Sequence, residues 1–104
     1  MKIYHGSLEV VEHPLILPPQ RTLDYGQGFY TTTSERQSKE WVERRMHEKH
    51  TSCGYVNIYK YEAGAISVET LIRELKTYKL VEQYLFHTNK ALTALHFVEA
   101  TKIG

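Results

Sequence analysis

The chain has 104 residues, thirteen of them basic and twelve acidic, and a formal net charge of +1 with neutral histidines. Such a balance argues against a chain-wide attraction to nucleic acid or to an anionic membrane. The single cysteine, Cys53, excludes an internal disulfide, and no apolar run is long enough for a membrane-spanning helix. The first residues lack the pattern of a signal peptide, so we expect one cytoplasmic domain over residues 1–104.

The first half of the chain predicts two short strands separated by a loop, and then a helix. All three prolines fall in the loop, and the second strand is rich in aromatic and β-branched residues. Ser34 and Gln37 match a capping box, which predicts a helix from Ser34 to about Lys49. The first strand, the loop and the second strand are predicted at residues 2–4 (with a stop at Gly6), 13–27 and 29–33.

The second half predicts three strands and two helices. Apolar residues at 68, 71, 72 and 75 recur with helical spacing behind Ser67, which indicates a second main helix. Thr88 can cap a shorter helix that carries Ala91, Leu92 and Leu95. Strands are expected at residues 55–62, 84–87 and 97–103. The chain contains no repeat or linker, so the predicted fold is a single α+β domain.

Three short stretches carry the functional argument. They are Tyr4-His5-Gly6-Ser7, residues 24–32 (DYGQGFYTT) and Glu82-Gln83-Tyr84-Leu85-Phe86-His87-Thr88. In order and spacing they resemble the three motifs of ADP-ribosyltransferase-like domains of the diphtheria-toxin and poly-ADP-ribose-polymerase type. More narrowly, they resemble a bacterial family of unknown function in that superfamily. The resemblance implies a small split β-sheet with two main helices, in a shortened form that lacks part of the usual middle segment.

The same resemblance implies a site for NAD, bound as a substrate and without a metal ion. His5 would bond a ribose hydroxyl, Gly6 would pair the nicotinamide carboxamide, and Ser7 would help to hold the nicotinamide ribose. Tyr30 would stack on the nicotinamide ring, and Gln83 stands where many relatives carry glutamate. The implied catalytic set is His5, Tyr30 and Gln83. The implied ligand-binding set is His5, Gly6, Ser7, Gly28, Phe29, Tyr30 and Thr31.

Elementary chemistry agrees with these roles. An imidazole can bond a hydroxyl, and a glycine lets the backbone approach a ligand closely. Cleavage of the nicotinamide–ribose bond passes through an oxocarbenium-like transition state, which a nearby carboxylate would stabilise. Gln83 can orient the ribose but carries no charge. The neighbouring Glu82 would point to the opposite face of a strand.

We therefore expect an ADP-ribosyltransferase-like protein of toxin or effector type, a pentosyl transferase with an unidentified acceptor and a small neutralising protein as partner. The alternative is a catalytically silent ADP-ribosyltransferase-like binding or protein-interaction module, whose exposed sheet edge pairs with itself or with a partner. A transferase acting on RNA would rest on Arg44, Arg45 and Lys49, and the near-neutral charge disfavours it. Taken singly, His5, Tyr30 and Gln83 have structural interpretations; only their joint occurrence favours a site.

Overall fold

The computed structural model describes residues 1–15, 29–62, 69–74, 80–86 and 88–104, with the backbone alone described at 69–74, 80 and 81. The described part confirms an α+β fold built from six strands and two helices. In chain order the elements are β1 (Lys2–Ser7), β2 (Phe29–Thr32), α1 (Glu35–Lys49), β3 (Gly54–Tyr61), β4 (Glu69–Glu74), β5 (Leu80–Phe86), α2 (Asn89–Leu92) and β6 (Leu95–Ile103).

All six strands form one antiparallel sheet in the order β4-β5-β2-β1-β3-β6. Because successive side chains of a strand point to opposite faces, the sheet separates two apolar clusters. On the face that α1 covers, here called the helix face, Val42 of α1 packs on Val56 and Ile58 of β3. The other face, here called the core face, holds the larger cluster. Its buried members are Ile3, Phe29, Tyr59, Tyr61, Tyr84, Phe86, Ala91, Leu92 and Leu95.

The ends of α1 follow from local chemistry. The Ser34 side chain caps the helix by accepting a hydrogen bond from the Gln37 backbone N–H at 3.1 Å. The Gln37 side chain does not return a bond to Ser34 as a capping box would. Its Oε1 instead accepts from Thr32 Oγ1 at 2.8 Å, and Thr32 Oγ1 accepts from the Ser34 N–H. At the other end, His50 adopts the left-handed conformation (φ 54°) that terminates many helices.

The prediction of a second main helix behind Ser67 is wrong. Residues 69–74 form β4, which pairs with β5 from Glu69–Leu85 to Glu74–Leu80, and residues 67, 68 and 75 lie outside the described residues. The apolar spacing fitted a helix, but a short apolar run also fits a strand. Pairing with β5 gives the segment backbone hydrogen bonds along one edge, and the tertiary context therefore overrides the helical spacing.

Other predictions hold with shifted bounds. The first strand continues through Gly6 to Ser7, and the last strand begins at Leu95 rather than at Phe97. Thr88 caps α2 as expected, with its hydroxyl accepting from the Ala91 N–H at 3.1 Å. The long loop predicted at residues 13–27 falls mostly outside the described residues. None of the helices in the described ranges is long and apolar enough to cross a membrane.

Candidate functional site

The two strands that carry the first two motifs lie side by side at the centre of the sheet. β1 and β2 are in register at one pair of residues, Tyr4 and Thr32, whereas β1 follows β3 from Lys2–Lys60 to Ser7–Tyr55. Beyond Tyr4, the edge of β1 that faces β2 therefore has no regular ladder among the described residues. We call this region, between His5–Ser7 and Phe29–Tyr30, the β1–β2 junction.

The side chain of His5 bridges the β1–β2 junction. Its Nδ1 lies 2.6 Å from the backbone oxygen of Tyr30, and its ring stacks on Phe29 with the centroids 4.0 Å apart. A carbonyl oxygen only accepts, so Nδ1 carries the proton and Nε2 is left as an acceptor. Burial lowers the pKa of His5 to about 4, against a smaller raising effect of the Tyr30 bond. At neutral pH the ring is uncharged and held in one tautomer.

Gly6 and Ser7 complete the first motif. Gly6 faces α1 so closely that an added Cβ would lie 2.7 Å from Val42 Cγ2 and 2.8 Å from the Ser38 backbone oxygen. The glycine is thus required for helix packing, a reason that the sequence interpretation did not include. The Ser7 hydroxyl accepts a bond from the Glu9 N–H at 3.2 Å. Both residues lie at the β1–β2 junction.

Strand alternation separates the three predicted catalytic side chains. His5 packs on Phe29, a member of the core-face cluster, so the next residue, Tyr30, points to the helix face. Gln83 is the register partner of Thr32, which lies two residues from Tyr30, and so shares the helix face with it. The phenol and the carboxamide therefore lie on one face, and the imidazole belongs to the other. His5 and Tyr30 meet at the β1–β2 junction, where His5 Nδ1 contacts the Tyr30 backbone oxygen, and Gln83 lies outside the junction, opposite Thr32.

The carboxamide of Gln83 has an unusual environment. The residue is only 6% exposed, and its Oε1 is buried with no hydrogen-bond partner among the described residues. Buried polar groups are nearly always paired, because an unpaired one costs roughly 1–3 kcal/mol. The sequence places Gln83 on a strand but gives no sign of its burial. The amide oxygen of Gln83 is thus a buried acceptor without a partner among the described residues.

Glu82 is not available as a substitute carboxylate beside Gln83. It lies on the opposite face, where its Oε2 accepts a 2.6 Å hydrogen bond from the Tyr84 hydroxyl. This bond, with burial, raises the pKa of Tyr84 to about 12. The structure thus agrees with the expected orientation of Glu82.

The remaining predicted ligand-binding residues are Phe29, Thr31 and Gly28. Phe29 packs in the core-face cluster with its ring edge against Tyr59, and the Thr31 hydroxyl donates to the Tyr84 backbone oxygen at 3.0 Å. Both side chains thus have structural partners already. Gly28 lies outside the described residues.

Sequence analysis missed two polar residues of β3 beside the site. Asn57 is fully buried and bonds the backbone of His5, Glu9 and Val11. The Tyr59 hydroxyl donates to the Val11 backbone oxygen, and burial raises its pKa. The available signal was an asparagine between Val56 and Ile58 in a β-favouring run, since asparagine is depleted in strands.

The surface also has a concavity that lies away from the three motifs. A shallow, open concavity of about 610 Å³ is lined by residues of α1 and the end of β6, among them Glu43, His47 and Ile103, and by none of the predicted site residues. Within the described ranges, no three histidine, cysteine, aspartate or glutamate side chains are grouped to hold a metal ion.

The geometry defines a small α+β domain in which the pairing of two central strands of an antiparallel sheet is interrupted. Residues 1–63 match the model of a family described as a protein of unknown function (DUF3990), and because this is more than half of the chain, the chain belongs to that family. The matched part contains β1, β2, α1 and β3, and hence His5 and Tyr30 but not Gln83. No curated protein and no solved structure matches the chain.

Proposed function

We propose that the chain is an ADP-ribosyltransferase-like domain that binds NAD at the β1–β2 junction and transfers ADP-ribose to an acceptor. The observation that carries the proposal is the junction itself. The regular pairing of β1 with β2 stops where the first two motifs meet, and the side chain of a neutral histidine of fixed tautomer bridges the two strands there. Backbone and side-chain groups can both reach one ligand at such a place.

Each group has a defined part in this reaction. His5 Nε2 accepts a hydrogen bond from a ribose hydroxyl, since Nδ1 is committed to Tyr30. The resemblance assigns the ring of Tyr30 to the nicotinamide, whose positive charge favours an aromatic face; in this fold that ring lies on the helix face, across the sheet from the His5 ring. The bond between ribose and nicotinamide breaks, and both of its electrons leave with the neutral nicotinamide. The acceptor's nucleophile then bonds the ribose carbon and releases its proton to water.

The test uses labelled NAD with the intact protein and a cell extract that supplies acceptors. We expect NAD consumption and a labelled product that His5→Ala and Tyr30→Ala abolish. His96→Ala, an exposed histidine on β6, is the matched control and should keep the wild-type rate. No NAD consumption and no labelled product under any condition would remove the enzyme proposal.

A second candidate is a catalytically silent module that binds NAD or a protein partner. The observation in its favour is the separation of His5 and Gln83 by the sheet, together with a carboxamide where a carboxylate would stabilise positive charge. Calorimetry with NAD and light scattering distinguish the two. Binding of NAD without turnover supports the silent module as an NAD-binding protein. Self-association without NAD binding supports it as an interaction module.

A further inference from the structure

We propose that Asn57 is a positioning residue that fixes His5 and the segment after β1, residues 8–11, in a single arrangement. The arrangement can be tested without any ligand. Its consequence for NAD affinity rests on the function proposed above.

Both the nitrogen and the oxygen of the Asn57 carboxamide are hydrogen-bonded to the backbone around His5. Its Nδ2 donates to the backbone oxygens of His5 and Glu9, both at 3.2 Å, and its Oδ1 accepts the Val11 N–H at 2.8 Å. The residue itself is 0% exposed, and its three hydrogen bonds are partly buried. One side chain thus replaces the strand partners that residues 9–11 lack after β1 has ended.

Asn57 is also the register partner of His5 across β1 and β3. His5 is consequently held at three points: its backbone oxygen by Asn57, its Nδ1 by Tyr30 and its ring by Phe29. An apolar side chain at position 57 would leave the Glu9 oxygen and the Val11 N–H without partners. The segment would then move to reach water, and the backbone of His5 would lose its side-chain anchor.

Tyr59 offers a matched control on the same strand and face. Its hydroxyl holds the same segment, by donating to the Val11 oxygen, but it makes no hydrogen bond to His5. The effect of loosening residues 8–11 alone can therefore be distinguished from the effect of displacing His5. Tyr59→Phe tests the first effect, and Asn57→Leu, which keeps the branching and the number of side-chain heavy atoms, tests both.

The experiment reads the His5 ring by nitrogen NMR in the full chain. We expect wild-type protein at pH 7 to show a protonated Nδ1 and an unprotonated Nε2. In Asn57→Leu the other tautomer should appear, and the pKa of His5 should rise from about 4 toward its ordinary 6.5. Tyr59→Phe should keep the wild-type tautomer. The Kd for NAD should rise about tenfold in Asn57→Leu, equivalent to about 1.4 kcal/mol, and less than threefold in Tyr59→Phe.

If Asn57→Leu does not fold, amide exchange in the wild-type protein tests the proposal. The Val11 N–H should exchange with solvent as slowly as the amides of β3, since it donates to a buried oxygen. Exchange at the rate of an exposed loop overturns the proposal, as does an unchanged His5 tautomer in a folded Asn57→Leu. Absence of NAD binding to wild-type protein refutes the proposed function instead, and leaves the NMR and exchange results to judge Asn57.

Discussion

Gln83 and His5 are the two residues whose state in the fold differs most from what their types would suggest. A glutamine on a strand is usually exposed, and a histidine is usually near half-charged at pH 6.5. Here the amide oxygen is buried without a partner among the described residues, and the imidazole is held neutral by burial. Both departures cost free energy of folding, and functional sites are where such costs are retained.

Replacing Gln83 by methionine should stabilise the free protein by about 1 kcal/mol, because the substitution removes an unpaired buried amide and keeps the volume. The same change should abolish NAD binding. Gln37→Met is the matched control, since the Gln37 side chain is hydrogen-bonded to Thr32 and its loss should destabilise. Urea unfolding and calorimetry measure both effects. A destabilised Gln83→Met would show that the amide has a structural partner after all.

The low pKa of His5 predicts a loss of stability in acid. Between its ordinary value of 6.5 and about 4, the unfolded chain takes up a proton that the folded chain excludes, so the free energy of unfolding falls as pH falls through this window. From pH 7 to pH 5 we expect a loss of about 2 kcal/mol. Urea titrations of wild type and His5→Gln at both pH values isolate the effect. Equal pH dependence in the two proteins would contradict it.

At the scale of elements, the packing of α1 on the sheet depends on close approach to β1 and β3. Val42 is fully buried and lies against both Gly6 and Gly54, where an added Cβ would collide with it. The helix can therefore lie close to β1 and β3 only because these two strand positions have no side chain. Glycine weakens a strand, and here its cost is offset by helix packing.

Gly6→Ala should consequently destabilise the protein by about 1–3 kcal/mol through overpacking against α1. Ser7→Ala, at the next and more open position, should cost less than about 1 kcal/mol, since it removes a single hydrogen bond to an exposed segment. Thermal and urea unfolding of the two variants provide the comparison. A Gly6→Ala protein of wild-type stability that fails to bind NAD would instead favour a purely ligand-directed role for this glycine.

For the whole molecule, the sheet has one edge at β6 and the other at β4. The outer edge of β6 has no strand partner among the described residues, a feature that favours self-association. The strand is irregular, however: Ile58 pairs with Glu99 and Tyr59 with Phe97, which leaves Val98 as the extra residue of a bulge. Bulges twist an edge away from further pairing, so we expect the edge to resist association.

Deleting Val98 should restore a regular edge on β6 and promote dimers or larger species at micromolar concentrations. Val98→Thr keeps the bulge and reduces the apolar surface of a side chain that is 46% exposed, so it should remain in the wild-type state. Light scattering after size-exclusion chromatography measures the outcome. If wild-type protein is already dimeric and the deletion changes nothing, the bulge does not protect this edge.

The sequence by itself determined the α+β class, the start of α1 at Ser34, the cap of α2 at Thr88 and most strands, because these depend on contacts within a few residues. It also brought His5, Tyr30 and Gln83 to attention through their motifs. Only the tertiary structure decided that residues 69–74 form a strand, that Gln83 is buried and that His5 lies across the sheet from Tyr30 and Gln83. The strand at residues 69–74, the burial of Gln83 and the face on which each side chain lies all follow from pairing between segments that are distant in the chain. No local pattern fixes that pairing. Asn57 shows the same limit, since its three partners lie 46 to 52 residues away.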